Sequence, residues 1–311
     1  MSEQYYDLVG DLHGHAGKLV EILEAMDYAL VDGCYRHPTR KLIFLGDFVD
    51  RGPQQRQLLQ IVMAMVQQGA ALSVMGNHEF NALGYHTENP NKPGAWLRPR
   101  TNKNTFQHIA FLNEYLGTEL ERELDDALAF FRSLPLWIEL DGLRVVHACW
   151  ESSMIKALQP HVDSNNCLTD ALLIEASTKD TPAYEAIEIL LKGVEHSLPD
   201  NGHFFDKDGV KRHEVRTQWW HNHDCTMGDV AFPPGVLNEE QANKPISAGE
   251  LVGYSAGERP VFLGHYWLKG HPTKLADNVA CLDYSVAKGG KLVAYRWNGE
   301  AQLSDASFIV V

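Results

Sequence analysis

The sequence predicts an α/β fold in which parallel strands alternate with helices. Two observations in the first eighty residues predict it. Apolar runs of strand length at residues 5–9, 42–45 and 71–75 alternate with two segments whose apolar residues recur at helical spacing. Each run also ends at a glycine that is followed by Asp or Asn. A β-α-β-α-β order implies right-handed crossovers and a parallel sheet, so these three strand ends are expected at one edge.

The connections between these strands are predicted in order. Leu19, Ile22 and Leu23 predict an amphipathic helix over residues 16–26. A second, well-buried helix is expected over residues 58–66. Residues 81–103 follow the third strand end and are rich in Asn, Pro and Gly. They predict a lid or substrate-contacting loop, with a solvated connection as the alternative.

The rest of the chain places predicted strands on either side of a long central segment. Asp141-Gly142 is a hairpin signal before a return strand that ends at His147. Residues 151–257 carry no motif and are predicted to be a mostly helical and loop insertion or cap within a single domain over residues 1–311. The other predicted elements are helices around 120–131, 171–176 and 183–194, and strands over 137–140, 144–146, 261–263, 279–282, 292–297 and 308–311.

Composition and charge exclude some functions. The net charge of −14 argues against non-specific nucleic-acid binding and against attraction to an anionic membrane surface. The five cysteines are scattered and odd in number, which indicates free thiols in a reducing compartment. The N-terminus has no basic and apolar leader, and no apolar run reaches transmembrane length. We therefore expect a cytoplasmic protein.

Polar residues at strand ends are the main functional signal. One such end is ordinary turn chemistry, and a single histidine there is more often structural. Here five predicted strands end in potential ligands, which are Asp11 and His13, then Asp47, Asp50 and Arg51, then Asn77 and His78, then His147, and finally His265. Nitrogen and oxygen donors without thiolate suit Mn, Fe or Zn. A carboxylate shared by two cations would hold them about 3.5–4 Å apart, as two-metal hydrolases require.

Three motifs carry a resemblance to a known family. Gly10-Asp11-Leu12-His13-Gly14, Gly46-Asp47-Phe48-Val49-Asp50-Arg51-Gly52 and Gly76-Asn77-His78-Glu79 occur in that order. Together they resemble the phosphoprotein phosphatase family of calcineurin-like metallophosphoesterases. That family includes serine/threonine phosphatases, the bacteriophage lambda phosphatase and symmetric diadenosine tetraphosphatases. The resemblance covers residues 5–150 and 258–297 and implies a sandwich of two mixed sheets flanked by helices.

The resemblance also implies roles for individual residues. His78 would be the general acid, Asp50 would orient it, and Arg51 would hold the substrate phosphate. Arg216, with Arg212 close behind, is the candidate for a second phosphate-binding arginine, and Asn77 is a further candidate for substrate contact. The implied ligands are Asp11 and His13 for the first metal, Asp47 as the bridge, and Asn77, His147 and His265 for the second. The cofactor would be two divalent cations, with Mn favoured over Fe or Zn.

Two positions depart from the family pattern. Ala148-Cys149 follows His147 where the family usually has a small residue and glycine. A thiol near the metals is one interpretation, and a buried, inert cysteine is the one we favour. Trp267 stands where wider metallophosphoesterases often have a second histidine, which favours the phosphoprotein phosphatase branch. His221 and His223 alternate like a metal pair, but surface histidines are the preferred interpretation.

The predicted function is therefore hydrolysis of a phosphoric monoester through in-line attack of a metal-activated water. The substrate would be a phosphoprotein, including phosphotyrosine, or a small phosphorylated metabolite. The alternative enzyme is a nucleotide hydrolase acting on a dinucleoside polyphosphate or a cyclic phosphodiester. Diadenosine tetraphosphatases often have Gln where His13 stands, which weakens that alternative. A non-catalytic phosphate- or metal-sensing module is the third possibility.

Overall fold

The computed structural model describes residues 5–198, 202–205 and 209–311. Its helices are α1 Ala16–Ala25, α2 Gln55–Gln67, α3 Asn77–His86, α4 Asn102–Glu114, α5 Glu121–Arg132, α6 Ser152–Leu158, α7 Asp170–Ala176, α8 Pro182–Lys192, α9 Met227–Val230 and α10 Glu239–Ala242.

The described strands fall into two main sheets and several short hairpins. In chain order they are β1 Tyr5–Val9, β2 Ala29–Val31, β3 Cys34–Arg36, β4 Arg40–Phe44, β5 Ala71–Ser73, β6 Trp137–Glu139, β7 Arg144–Val146, β8 Glu195–Ser197, β9 Phe204–Phe205, β10 Lys211–Arg212, β11 Glu214–Thr217, β12 Cys225–Thr226, β13 Ala231–Phe232, β14 Pro245–Ile246, β15 Val261–Leu263, β16 Val279–Cys281, β17 Asp283–Tyr284, β18 Lys291–Trp297 and β19 Phe308–Val310.

Both main sheets mix parallel and antiparallel strands. The first has the order β17-β18-β1-β4-β5, with β19 also paired to β18. In it β1, β4 and β5 are parallel, whereas β18 is antiparallel to β1. The second has the order β16-β15-β7-β6, with β7, β15 and β16 parallel. The central strand β1 is therefore hydrogen-bonded to β18, from the C-terminal end of the chain.

Alternating side chains pack the two sheets together and cover their outer faces. Leu8 and Ile43 of the first sheet lie in one buried cluster with Phe262 of the second. Their chain neighbours Val9 and Phe44 belong to a larger cluster with residues of the helices. Because successive strand residues point to opposite faces, this division is that of two stacked sheets with helices outside them. The predicted fold class, an α/β sandwich of two mixed sheets, is confirmed.

The structure differs from the expectations in several places, and helix α4 was not predicted at all. The hairpin β2–β3, whose first strand is exposed, was not expected between α1 and β4. Asn77 and His78 are not in a loop but open helix α3, whose N-terminus is capped because Glu79 accepts the Gly76 N–H. The predicted loop over 81–103 is consequently shorter, since α3 continues to His86 and α4 begins at Asn102.

The central segment divides between two clusters of buried residues. Helices α6, α7 and α8 contribute to the large cluster beneath the main sheets. Strand β11 and helix α9 instead pack in a small cluster of their own, around Val215 and Met227. The insertion predicted over residues 151–257 remains a prediction, and its residues 199–201 and 206–208, like residues 1–4, lie outside the described residues. Within the described ranges we find no helix with the length and apolar character that a membrane crossing requires.

Candidate active site

The polar side chains that were predicted at strand ends meet where the carboxyl ends of the parallel strands of both sheets lie. Asp11 and His13 follow β1, Asp47, Asp50 and Arg51 follow β4, Asn77 and His78 begin α3 directly beyond β5, His147 follows β7, and His265 follows β15. The structure forms two groups of side chains, and within each group the ligand atoms lie within 4.8 Å of one another. One group is His13, Asp47 and His78, and the other is Asp47, His147 and His265. Asp47 belongs to both groups, which is the arrangement that a bridging carboxylate requires.

Distances around Asp47 show how the groups share it. Its Oδ1 atom is 3.4 Å from Nε2 of His147 and accepts the backbone N–H of His78 at 2.9 Å. Its Oδ2 atom is 3.7 Å from Nε2 of His13 and 3.9 Å from Nε2 of His78. Asn77 points its Oδ1 at the same His147 nitrogen, 3.2 Å away.

Asp11 lies beside these groups rather than within either of them. Its carboxylate accepts the backbone N–H of His265 at 3.1 Å, so it contacts the backbone, not the side chain, of a residue in the second group. The structure thus brings all six predicted ligands to one place, with Asp11 at its side.

Buried nitrogen atoms without partners fit bound cations. Nε2 of His13 and both ring nitrogens of His265 are buried and have no hydrogen-bond partner among the described residues. Such orphans are rare because an unsatisfied buried polar atom costs about 1–3 kcal/mol. Nδ1 of His13 and Nδ1 of His147 each donate to a backbone carbonyl, of Val49 at 2.9 Å and of Leu45 at 2.7 Å. In each histidine, the hydrogen bond at Nδ1 fixes the ring and leaves Nε2 as the coordinating atom, as is usual for metal-bound histidine.

Burial favours the neutral, coordinating form of two of these histidines. Burial, followed by the charge of His78, lowers the pKa of His13 to about 3. Burial and the nearby Arg216 hold the pKa of His265 well below its ordinary value. For His147, burial is the largest single effect and lowers the pKa, but the charge and hydrogen bond of Asp47, the charge of Asp11 and the hydrogen bond to the Leu45 carbonyl together raise it to about 10. Since a metal ligand must be deprotonated, loading the site would release the His147 proton.

The backbone is strained around these groups. His13, Asp47, Asp50, Arg51 and His265 all have positive φ angles, between 41° and 73°. Non-glycine residues rarely adopt this left-handed region, and such strain concentrates at functional sites.

Two glycines allow carboxylates to lie directly against the backbone. A Cβ atom on Gly76 would lie 2.2 Å from Oδ1 of Asp47, and one on Gly264 would lie 2.0 Å from Oδ1 of Asp11. Neither space accommodates a side chain. The glycines that precede Asn77 and His265 are therefore required by packing against the acid of another cluster.

A buried carboxylate, Glu79, holds the bend between β4 and the site. It accepts the backbone N–H groups of Asp47 and Phe48 at 2.8 Å each, and that of Gly76 at 3.0 Å. Burial and the charge of Asp47 raise its pKa to about 7. Although the sequence analysis placed Glu79 in a motif, it gave the residue no role, because backbone contacts of this kind cannot be read from spacing.

We expect Glu79→Gln to destabilise the protein. The amide offers only one acceptor oxygen, so its NH2 group would face N–H donors that are now satisfied, at a cost of about 1–3 kcal/mol. Urea unfolding of the metal-free variant measures this loss. Glu114→Gln is a matched control, because Glu114 also accepts two backbone N–H groups but on the half-buried start of α2. An unchanged unfolding midpoint for Glu79→Gln would contradict the role given to its carboxylate.

His78 and Asp50 form the most polar contact at the cleft. His78 Nδ1 donates to Oδ2 of Asp50 at 2.5 Å, and its Nε2 lies 3.5 Å from Nη2 of Arg51. Burial is the largest single effect on the pKa of Asp50 and raises it, but the charges and hydrogen bonds of His78 and His108 together hold that pKa below its usual value. Asp50 is therefore an ionised acceptor, and Nε2 is the nitrogen of His78 that is not bound to Asp50.

Asp283 is a site residue that the sequence analysis missed. It is buried, accepts the backbone N–H of Trp267 at 2.8 Å and that of Ser285 at 2.9 Å, and so fixes the turn after β15. Its charge also helps to raise the pKa of Asp11, although burial contributes more. The signal was present, because Asp283 follows a buried apolar strand in the same way as the five clusters.

A cleft of about 950 Å³ opens from the site. Arg51, His78, His265 and Trp267 line its inner end. The cleft is also lined by the cationic side chains of Arg98, Lys179, Lys192, Arg212 and Arg216, the acidic Glu188, and the apolar side chains of Leu97, Phe106, Ile109 and Ala110. Arg98 comes from the connection between α3 and α4, so this connection does line the cleft.

The arginine proposed as a second phosphate ligand lies beside the site. Arg216 on β11 lines the cleft, and its Nη2 is 3.7 Å from Glu195 while its Nε has no partner among the described residues. Arg212 is exposed on β10 and lines the same cleft. Both arginines therefore border the space that leads to His265.

The remaining candidates lie outside the ligand groups. His221 and His223 have ring centroids 5.6 Å apart and belong to neither group. Cys149 is fully buried, and burial raises its thiol pKa well above the ordinary value, which makes it unreactive.

Comparisons with known proteins identify part of the chain. Residues 6–153 match the family described as calcineurin-like phosphoesterase. The chain is 30% identical over 146 residues to the asymmetrical bis(5'-nucleosyl)-tetraphosphatase PrpE of Bacillus velezensis, which is 46% of this chain and 55% of that protein. It is 40% identical over 74 residues to the PrpE of Anoxybacillus flavithermus, which is 24% of this chain and 30% of that protein. The chain thus spans between 30% and 55% of these two curated relatives.

Solved structures of two phosphatases are similar over most of the chain. One is a cold-active protein tyrosine phosphatase from a psychrophilic Shewanella, with 16% identity, a TM-score of 0.48, and coverage of 95% of this chain and 78% of that one. The other is a protein serine/threonine phosphatase from Saccharomyces cerevisiae, with 15% identity, a TM-score of 0.45, and coverage of 99% and 78%.

Proposed function

We propose, from the match of residues 6–153 to calcineurin-like phosphoesterases, that the chain is a metallophosphoesterase of this family. We propose further that it hydrolyses nucleoside polyphosphates with the help of two divalent cations. The phosphoprotein phosphatase branch, expected from the sequence motifs, is one subgroup of that family. The residues described above support the coarser assignment and a nucleotide substrate within it.

The observation that carries the nucleotide proposal is the number of cationic side chains that line the cleft. Arg51, Arg98 and Lys179 all line it, and so does Lys192, which is paired with Glu188. One phosphate group needs few cations, whereas a chain of phosphates needs several. Because the whole chain carries a net charge of −14, this cationic lining is local and would draw anions into the cleft.

The apolar wall of the cleft supplies what a nucleobase needs. Phe106 on α4 is 79% exposed and Ile109 is 39% exposed, and both line the cleft. Bases stack on exposed aromatic rings without sequence preference, with about 1–3 kcal/mol per base. The relatives named as bis(5'-nucleosyl)-tetraphosphatases agree with this substrate class.

The chain's own residues divide the chemical work. His13, Asp47, Asn77, His147 and His265, with Asp11 beside them, would hold the cations. Bound cations would supply a water of lowered pKa and neutralise charge on the phosphate. Their donor set suits Mn, Fe or Zn.

The residues that we propose as acid and phosphate clamp, His78 and Arg51, both line the cleft. Arg51 places a planar set of N–H donors beside His78, where it would grip phosphate oxygens. His78 would give its Nε2 proton to the departing oxygen while Asp50 holds Nδ1.

A panel of substrates tests this proposal. With added Mn, kcat/KM should be higher for diadenosine tetraphosphate than for p-nitrophenyl phosphate, mononucleotides, cyclic nucleotides and phosphopeptides by at least about tenfold, or 1.4 kcal/mol. If no substrate shows metal-dependent turnover, the enzyme proposal is wrong and a sensing module becomes the better explanation.

Hydrolysis of phosphoric monoesters is the second candidate. It is favoured by His13, which stands where diadenosine tetraphosphatases often carry Gln, and by an acid at His78, because an alkoxide or phenoxide leaving group needs a proton. Phosphotyrosine peptides with the highest kcat/KM of the panel would establish this candidate in place of nucleotide hydrolysis.

Removing the exposed ring from the cleft wall should affect nucleotide binding alone. For Phe106→Ala we expect KM for diadenosine tetraphosphate to rise roughly tenfold, the value of one lost stacking contact. The KM for p-nitrophenyl phosphate should not change. Leu116→Ala is the control, because Leu116 is similarly exposed at 68% but does not line the cleft. Equal KM values for the variant and the wild type with the dinucleotide would exclude Phe106 from base binding.

A further inference from the structure

Asp50 is shared by two histidines, and only one of them belongs to the predicted site. His78 Nδ1 donates to Oδ2 at 2.5 Å, and His108 Nδ1 donates to Oδ1 at 2.6 Å. Both Asp50 and His108 are 1% exposed. Since an ionised carboxylate only accepts hydrogen bonds, Nδ1 of His108 carries a proton, which sets its tautomer.

The ring of His108 is held on every side. It stacks on Phe111 with ring centroids 4.8 Å apart and an angle of 21° between the planes. Its Nε2 faces Nε2 of His86 at 3.4 Å, and the ring of Tyr85 is 5.2 Å away. Helix α4, which carries His108, is thereby connected through α3 to the cleft.

We propose that His108 is a positioning residue, which fixes the carboxylate of Asp50 so that His78 presents its Nε2 to the leaving group. The terminal torsion of an aspartate is broad, so a carboxylate held by one bond can rotate. Bonds to both oxygens, from rings on two different helices, remove that freedom. The inference rests on the proposed function, because it gives His78 the role of acid.

The surroundings of His108 exclude a direct role. It does not line the cleft, and its Nδ1 is used by Asp50. A purely structural role for His108, namely to fill the space between α3 and α4, is the rival explanation. The two explanations differ in how the effect of a substitution depends on the leaving group.

Two aryl phosphates separate these explanations. Phenolate is a strong base with a pKa of about 10, like tyrosine, so it departs with a proton, whereas p-nitrophenolate is a stable anion that needs none. For His108→Leu we expect kcat with phenyl phosphate to fall about 10–100-fold, the usual effect of losing such an outer contact. With p-nitrophenyl phosphate the fall should be several times smaller, and KM for both esters should not change.

Conservative and neighbouring variants complete the experiment. His108→Asn keeps an N–H near the position of Nδ1 and should restore most of the phenyl phosphate activity. His86→Leu removes a neighbouring histidine but leaves the bond between His108 and Asp50, and should show no leaving-group dependence. Circular dichroism and metal content establish that each variant is folded and loaded.

The outcomes are distinct. Equal losses with the two esters, failure of His108→Asn to restore activity, or a leaving-group effect in His86→Leu would each overturn the role of His108 while leaving the proposed function intact. If the wild-type chain shows no metal-dependent turnover of either ester or of diadenosine tetraphosphate, the proposed function is overturned and this inference with it.

Discussion

Asp47→Asn is expected to remove most bound metal and to lower activity at least about 10³-fold, since metal charge contributes several kcal/mol to such transition states. Asp47 is the one residue shared by both ligand groups. One carboxylate oxygen faces His147, and the other faces His13. An amide places NH2 hydrogens at one of these positions, so one group loses its anionic donor and the other keeps only a neutral oxygen.

Metal content per chain, measured by mass spectrometry after dialysis, tests this independently of activity. We expect the value to fall from two to below one. Asp7→Asn is a suitable control, because Asp7 is also fully buried but is paired with Arg40 and Arg296 away from the site. That variant should lose stability and keep its metal. Wild-type metal content in Asp47→Asn would show that Asp47 does not bridge.

His78→Ala should lower kcat by about 10²–10⁴-fold, the range for removal of a general acid, with metal content nearly unchanged. The physical reason is that Nδ1 of His78 is taken by Asp50 and only Nε2 is left to face the cleft. The alternative role for His78 is that of a metal ligand, because it also lies within the first ligand group with His13 and Asp47.

Metal content again separates the two roles. If His78→Ala releases a metal ion, His78 is a ligand and the acid must be sought elsewhere. Asn81→Ala provides the matched control, since Asn81 lies one turn further along α3 and also lines the cleft. It should retain both metal and most of the activity.

The fold was predictable where burial follows a simple period. Leu8 and Val9 lie on opposite faces of β1 and are both fully buried, so the apolar run is unmistakable. Hairpin β2–β3 was not predicted because all three residues of β2 are exposed, and no hydrophobic pattern marks it.

Helix α4 was missed for the opposite reason. It buries His108 and Phe111 while exposing Phe106 and Ile109, so its polar and apolar residues do not sort into an inner and an outer face. A helix that forms the wall of a cleft on one side and supports a buried carboxylate on the other has no ordinary amphipathic stripe. Because the helix has no such stripe, His108 was not recognised from the sequence either.

Within the site, strand ends were predictable and their supports were not. The carboxyl ends of parallel strands lie at one edge of a sheet, so the sequence predicted that Asp47 and His147 lie close together. Glu79 acts on backbone N–H groups, and His108 reaches Asp50 across 58 positions of sequence. Neither contact follows from spacing, because both depend on how helices pack above the strands.

Because β1 pairs with β18, the N-terminal part of the chain depends on the C-terminal part for a complete sheet. Tyr6 and Leu8 pair with Trp297 and Tyr295, and Arg40 donates to the carbonyl of Trp297 at 2.6 Å. A fragment that ends at residue 153 would contain the whole family match but leave β1 as an open edge, the kind of strand that pairs with other chains. It would also lack His265. The portion that similarity identifies is thus not a unit that can be excised or transplanted, and exchange of substrate specificity between relatives must preserve both ends of the chain.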